Sequence, residues 1–140
     1  MSATDGFVVV DKAGAMTSHD VVAVGRRVLG TRKVGHAGTL DPMATGILIL
    51  GFGNGTRLLQ YITDGDKSYR ATIALGAATI TDDVEGEVIS RATQAQLAHI
   101  SDEQIHACLA SMRGVISQRP SSVSAVKVDG KRAHERVRAG

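Results

Sequence analysis

One stretch of twelve residues, Gly35-His36-Ala37-Gly38-Thr39-Leu40-Asp41-Pro42-Met43-Ala44-Thr45-Gly46, constrains the fold more than any other part of this chain. Its three glycines and one proline force a tight, irregular backbone. Glycine reaches conformations closed to other residues, and proline fixes its own φ and removes a donor. Pro42 also biases Asp41 towards an extended conformation. Asp41 is the one acidic residue in the stretch. Loops carried on a rigid scaffold are where catalytic groups concentrate. Spacing alone leaves two readings open: a loop that presents a working carboxylate, or a Gly/Pro turn in which Asp41 serves as a cap. The basic step Arg32-Lys33 comes just before and suits an anionic partner.

Regular elements are expected on both sides. Gly6 to Val10 reads as a buried strand. Thr17-x-x-Asp20 is a capping box that opens a helix through Val21, Val24, Val28 and Leu29. Arg26 and Arg27 suit the end of that helix, and Gly30 its stop. Ile47 to Leu50 reads as a second buried strand. Gly51-Phe52-Gly53-Asn54-Gly55-Thr56 then leads into a short helix bearing Leu58, Leu59 and Ile62. It is a strand-to-helix turn, because a dinucleotide fingerprint needs a third glycine where Thr56 stands.

Lys67 to Gly76 alternates, with Tyr69, Ala71, Ile73 and Leu75 on one face, and predicts a half-buried strand. The acidic run Thr79 to Gly86 reads as a solvated loop. Ser101-x-x-Gln104 caps a helix reaching Met112, with Gly114 beyond it. Its stripe Ile105, Cys108, Leu109 and Met112 predicts a core face that includes Cys108. Val123 to Val128 reads as a strand and Asp129-Gly130 as a hairpin turn. Strands and helices mix without strict alternation. The expected class is α+β, with a mixed, largely antiparallel sheet and flanking helices.

A length of 140 residues bounds the chain to one domain. Aromatics make up 3% with no Trp, so the core must rest on Val, Ile, Leu and Ala. A single cysteine, no signal peptide and no long apolar run predict a reducing, cytoplasmic setting away from membranes. Lys and Arg number eight against six acidic residues over 1–70, one against six over 71–112, and seven against two over 113–140. The basic terminal block fits contact with a phosphate backbone. Five dispersed histidines without a Cys/His cluster of ligand spacing predict no metal site.

The twelve-residue stretch resembles the catalytic G-H-x-G-x-L-D-P segment of the TruB family of tRNA pseudouridine synthases. Three further segments match in the family's order. Asp11-Lys12 with Met16-Thr17-Ser18 is similar to its opening D-K-x-x-G-M-[ST]-S turn, and Asp66-Lys67-Ser68-Tyr69-Arg70 to its K-x-Y motif. Pro120 to Lys127 with Asp129-Gly130-Lys131 is similar to its P-x-x-[YF]-S-A-x-K-x-x-G-K segment. The resemblance covers nearly the whole chain.

The resemblance implies a reaction that converts uridine to pseudouridine in the T arm of tRNA, at position 55. It breaks the N1–C1′ bond, turns the uracil and rejoins it through C5, with neither cofactor nor metal. By the same resemblance Asp41 would be the catalytic carboxylate, as nucleophile or as base. The stacked uracil must be flipped out first. Tyr69 would pack against the flipped base, although its alternation alone makes it an inward-facing strand residue. His36 would fill the vacated space or stack on neighbouring bases, and Lys67 would support the site. Arg32, Lys33, Lys127, Lys131 and Arg132 are candidates for contact with the RNA backbone, which sets affinity and position.

Two positions depart from the family pattern: Val123 stands where an aromatic is common, and His134 where a tyrosine is common. Family members also run longer and supply, downstream, an arginine that pairs with the aspartate. The 140 residues are therefore expected to be the N-terminal part of the catalytic domain, inactive and poorly soluble alone, with no protein partner implied beyond the missing half. Two alternatives stand beside the isomerase. One is a module that grips the T arm, or chaperones RNA, without catalysis. The other is a hydrolase or phosphotransferase using Asp41, which would want a cluster of metal-binding carboxylates.

Overall fold

The computed structural model describes residues 5–118 and two short strands at 127–128 and 131–132. Length alone bounds the chain to one domain, but its contacts separate it into two compact units, Met1–Tyr69 and Arg70–Gly140. The class is α+β, and every described strand pairing is antiparallel.

In the first unit, β1 (Gly6–Lys12), β2 (Val34–Ala37) and β3 (Gly46–Phe52) form a sheet in the order β1-β3-β2. Helix α1 (Ser18–Leu29) packs across one face. The helix begins where its sequence predicts: Thr17 caps it, the reciprocal Thr17–Asp20 box is complete, and Gly30 closes it at φ 63°. Its buried face is Ser18, Val21, Val22 and Gly25, whereas Val24 is 39% and Val28 76% exposed. The true stripe is thus turned from the expected one. A small residue is needed where the helix crosses the sheet, since a Cβ on Gly25 would stand 3.0 Å from Leu50 Cδ1.

Val21, Val22, Val34, Leu48, Leu50 and Phe52 make the core, with Val10, Met16, Leu29 and Leu40 against it. Strand period decides the rest. Leu48 and Leu50 face α1, and their register partners Val10 and Val8 share that face. The other face keeps Ile47 74% and Val9 65% exposed. β1 is therefore not the buried strand expected from its β-branched run but a sheet edge, half of it in solvent. At the far end of β3, the facing pair Gly35 and Gly51 makes a slot for Leu59 of α2 (Leu59–Thr63). A 3-10 turn, Gly53–Leu58, joins β3 to α2.

The β1–α1 turn holds Ala15 at φ 61°, the left-handed region that costs an L-residue roughly 1–2 kcal/mol. Ala15→Gly is expected to stabilise the protein by about 1 kcal/mol, seen as a higher urea midpoint. An unchanged midpoint would mean that this strain is absent.

In the second unit, β4 (Ala77–Thr79) and β5 (Val88–Arg91) form a hairpin, and its turn lies in the acidic run expected to be loop throughout. Asp83 organises that turn by accepting from Thr81 Oγ1, Glu85 N and Gly86 N, and these bonds hold its carboxyl below the ordinary value. Helices α3 (Gln94–Ala98) and α4 (Asp102–Ser111) follow, each with a complete capping box. The expected core stripe of α4 is not one: Leu109 is 41% and Met112 60% exposed, and Cys108 is exposed too. Nor does Lys67 to Gly76 form a strand. Alternation marks faces, but a strand needs a neighbour to take its hydrogen bonds, and none among the described residues does so. β6 (Lys127–Val128) pairs with β7 (Lys131–Arg132). The turn expected at Asp129-Gly130, most of the strand expected from Val123, and the departing positions Val123 and His134 lie outside the described residues.

Candidate active site

Strand direction brings the site together. β1 and β2 both run antiparallel to β3, so their C-terminal ends lie beside its N-terminal end. The connection from β1 to α1 and the connection from β2 to β3 meet there. Gly35, His36 and Ala37 belong to β2, so the irregular loop is shorter than the twelve-residue stretch and runs over 38–45. Gly38 at φ 83° and Gly46 at φ 117° bound it, in conformations that would strain any side chain. Ala44 N donates to the Asp41 carbonyl at 3.0 Å, closing a β-turn with Pro42 in second place. The backbone therefore bears out the turn. The Asp41 side chain is exposed and accepts no hydrogen bond among the described residues, so it does not serve as a cap.

The loop is fastened on both sides of Asp41. Ser18, first residue of α1 and 1% exposed, accepts from Leu40 N at 3.0 Å and donates to the Leu40 carbonyl at 3.2 Å. Lys12, last residue of β1 and 1% exposed, donates Nζ to the carbonyls of Pro42 at 3.2 Å, Met16 at 2.6 Å and Ala13 at 3.0 Å. The residues before and after Asp41 are thus each held by a buried side chain. A buried ammonium without such partners would be costly. Lys12 and Ser18 are not among the site residues expected from the sequence, although both stand in the segment similar to the family's opening turn. A signal for Lys12 exists, since it continues the Val8, Val10 parity onto the face beneath α1.

His36 pairs with Leu50 and so also faces α1, where its ring meets that of His19 edge-on, 5.3 Å between centroids at 82°. Its Nδ1 is in hydrogen-bonding contact with the Gly38 carbonyl. A carbonyl only accepts, so Nδ1 is the donor in this contact. Lys67 is exposed and donates Nζ to the carbonyls of Thr63 and of Gly65, the latter at 3.0 Å. Its Cε stands 3.9 Å from where a Cβ on Gly38 would lie, which brings it to the loop. Tyr69 is 71% exposed, so it is not the inward-facing residue its alternation implied.

Arg32 and Lys33 are not gathered at the loop. They precede β2 at the opposite end of that four-residue strand, ~13 Å away at 3.3 Å per residue. Lys33 Nζ donates to Asn54 Oδ1 at 2.9 Å. Asn54 in turn donates to the Asp5 carboxylate, and its backbone N–H chiefly holds that carboxyl below the ordinary value. Lys127 and Arg132 face each other in register across β6 and β7, with Lys131 beside them. Among the described residues no three His, Cys, Asp or Glu come together in a way that could hold a metal. No described helix is long and apolar enough to cross a membrane.

Residues 26–140 match the family model for TruB family pseudouridylate synthase, N-terminal domain. The chain belongs to the TruB family of pseudouridylate synthases. It is 61% identical to tRNA pseudouridine synthase B of Leifsonia xyli subsp. xyli over 135 residues, covering 96% of this chain and 45% of that protein. Identity to tRNA pseudouridine synthase B of Corynebacterium diphtheriae is 58% over 138 residues, covering 99% of this chain and 46% of that one. A chain in a solved H/ACA RNP bound to a substrate RNA containing 2'-deoxyuridine is 41% identical, with a TM-score of 0.39 over 40% of this chain and 18% of its own. The chain spans less than half the length of the curated relatives it matches.

Proposed function

We propose that this chain carries the catalytic aspartate of an isomerase that converts uridine to pseudouridine in the T arm of tRNA, at position 55. One observation carries the reading: Asp41 is exposed while its two neighbours are held by buried side chains, Leu40 by Ser18 and Pro42 by Lys12. A cap or a spacer needs no such support. A carboxylate that must meet a reacting atom in one geometry does, because misplacement by an ångström costs about a hundredfold in rate. Membership of the TruB family and the names of its relatives support the same reading.

The uridine is flipped from its stack and delivered to Asp41. Asp41 acts as nucleophile towards the sugar or base, or as base towards the sugar, while the N1–C1′ bond breaks. The uracil turns, C5 bonds to C1′ and gives up its proton, and N1 takes one up, so no atom is gained or lost overall. His36 stands half-buried beside the loop and presents a flat ring to the RNA. Lys67 steadies the Gly38 end of the loop, and Tyr69 offers an exposed ring for the flipped base. Arg32, Lys33, Lys127, Lys131 and Arg132 contact backbone phosphates, which sets affinity and position. The reaction consumes no cofactor or metal.

Mapping pseudouridine in tRNA from cells lacking this gene tests the reading. The T-arm modification is expected to vanish and to return with the intact gene. Its persistence would overturn the proposal. Tyr69→Ala is expected to weaken capture of the flipped base by about 1–3 kcal/mol, whereas Tyr69→Phe keeps the stacking face and most binding. Binding and rate left at wild-type level in Tyr69→Ala would remove Tyr69 from the site.

A further inference from the structure

We propose that Ser18 is a positioning residue for Asp41, acting through the backbone of Leu40. This rests on reading Asp41 as the reacting carboxylate. The peptide unit is planar, so the Leu40 carbonyl and the Asp41 N–H move as one plate. Ser18 Oγ donates to that carbonyl at 3.2 Å and accepts from the Leu40 N–H at 3.0 Å, which belongs to the preceding plate. One hydroxyl thereby sets both peptide planes that lead into the Asp41 Cα. Its second use, as a helix cap, is already taken by Thr17, which accepts from Asp20 N at 3.1 Å. Ser18 is 1% exposed, so its hydroxyl is held out of solvent and turned to Leu40 by its two hydrogen bonds. It begins α1, whose buried valines tie it to the core, so the helix is the rigid body against which the loop is set.

Loss of the hydroxyl in Ser18→Ala leaves the Leu40 N–H and carbonyl without a partner, and the two plates turn to find one. The single-turnover rate on tRNA is then expected to fall about tenfold to a hundredfold, with tRNA affinity unchanged. The matched control is Val22→Ala, on the same helix and equally buried in the core. It is expected to lower the melting temperature and leave the rate at saturating tRNA as it was. Ser18→Cys, close in size with a weaker donor and acceptor, is expected to fall between serine and alanine, its folding checked by its melting transition.

The experiment uses the enzyme expressed from its own gene, with rates taken below each variant's melting transition. A wild-type rate in folded Ser18→Cys and Ser18→Ala overturns the proposal. So does an equal loss of rate in Val22→Ala, which would mark a merely structural role. An inactive Asp41→Asn beside a fully active Ser18→Ala would reject the positioning role alone. An active Asp41→Asn would instead reject the isomerase reading of the loop.

Discussion

Asp41→Asn, in the enzyme expressed from its own gene, is expected to lose pseudouridine formation by on the order of 10⁴-fold or more while its tRNA affinity stays close to wild type. The amide keeps the shape of the side chain but has neither the charge nor the basicity that the chemistry draws on. The geometry makes this a clean experiment. Asp41 is exposed, and the loop is held through its neighbours, so the substitution removes no contact that supports the fold. The measurement is single-turnover conversion at saturating tRNA, with binding followed separately. Substantial turnover by the variant would end the catalytic assignment, and a large loss of affinity would move Asp41 from chemistry to binding.

Gly55→Ala should be strongly damaging to stability for so small a substitution. A Cβ on Gly55 would overlap the Gly6 carbonyl oxygen and lie 3.1 Å from its carbonyl carbon and 3.2 Å from its nitrogen. All three are backbone atoms of β1, which no rotamer change can move aside. β1 must therefore shift from the 3-10 turn, or the turn from β3. Overpacking of this kind costs about 1–3 kcal/mol, and the backbone neighbours put this site at the upper end. A denaturant midpoint equal to wild type would show that β1 yields freely.

Much of the first unit is legible in the sequence because its signals are local. Thr17-x-x-Asp20 and Ser101-x-x-Gln104 each close within one turn of helix, and both boxes form as their spacing predicts. The central strand and the loop after β2 follow from short apolar runs and from glycine and proline chemistry. The features that escape a sequence reading depend on residues far apart in the chain. Ser18 meets Leu40 across 22 positions and Lys12 meets Pro42 across 30, and no local pattern encodes either bond. The same holds for Lys67 to Gly76, whose alternation is plain but whose partner strand is not among the described pairings. Cys108 and Met112 lie at helical spacing, yet spacing gives a stripe without saying what covers it. Of the site, Asp41, His36 and Lys67 are legible through motif and are found around one loop, whereas Arg32 and Lys33 stand at the other end of β2.

If Asp41 is the reacting carboxylate, the cap on α1 gives a surface carboxyl a remote influence on its loop. Asp20 accepts from Thr17 Oγ1 at 2.7 Å and Thr17 N at 2.8 Å, and these two bonds hold its carboxyl below the ordinary value. A carboxylate depressed in the fold contributes its stabilisation above the ordinary range and loses it as pH falls through the lowered value. Ser18 sits between the two members of that box. Acid that uncaps the helix therefore loosens the post on which the Asp41 loop is hung. On the proposed reading, protonation of Asp20 would then lower the rate in acid through the helix rather than through the reacting atoms.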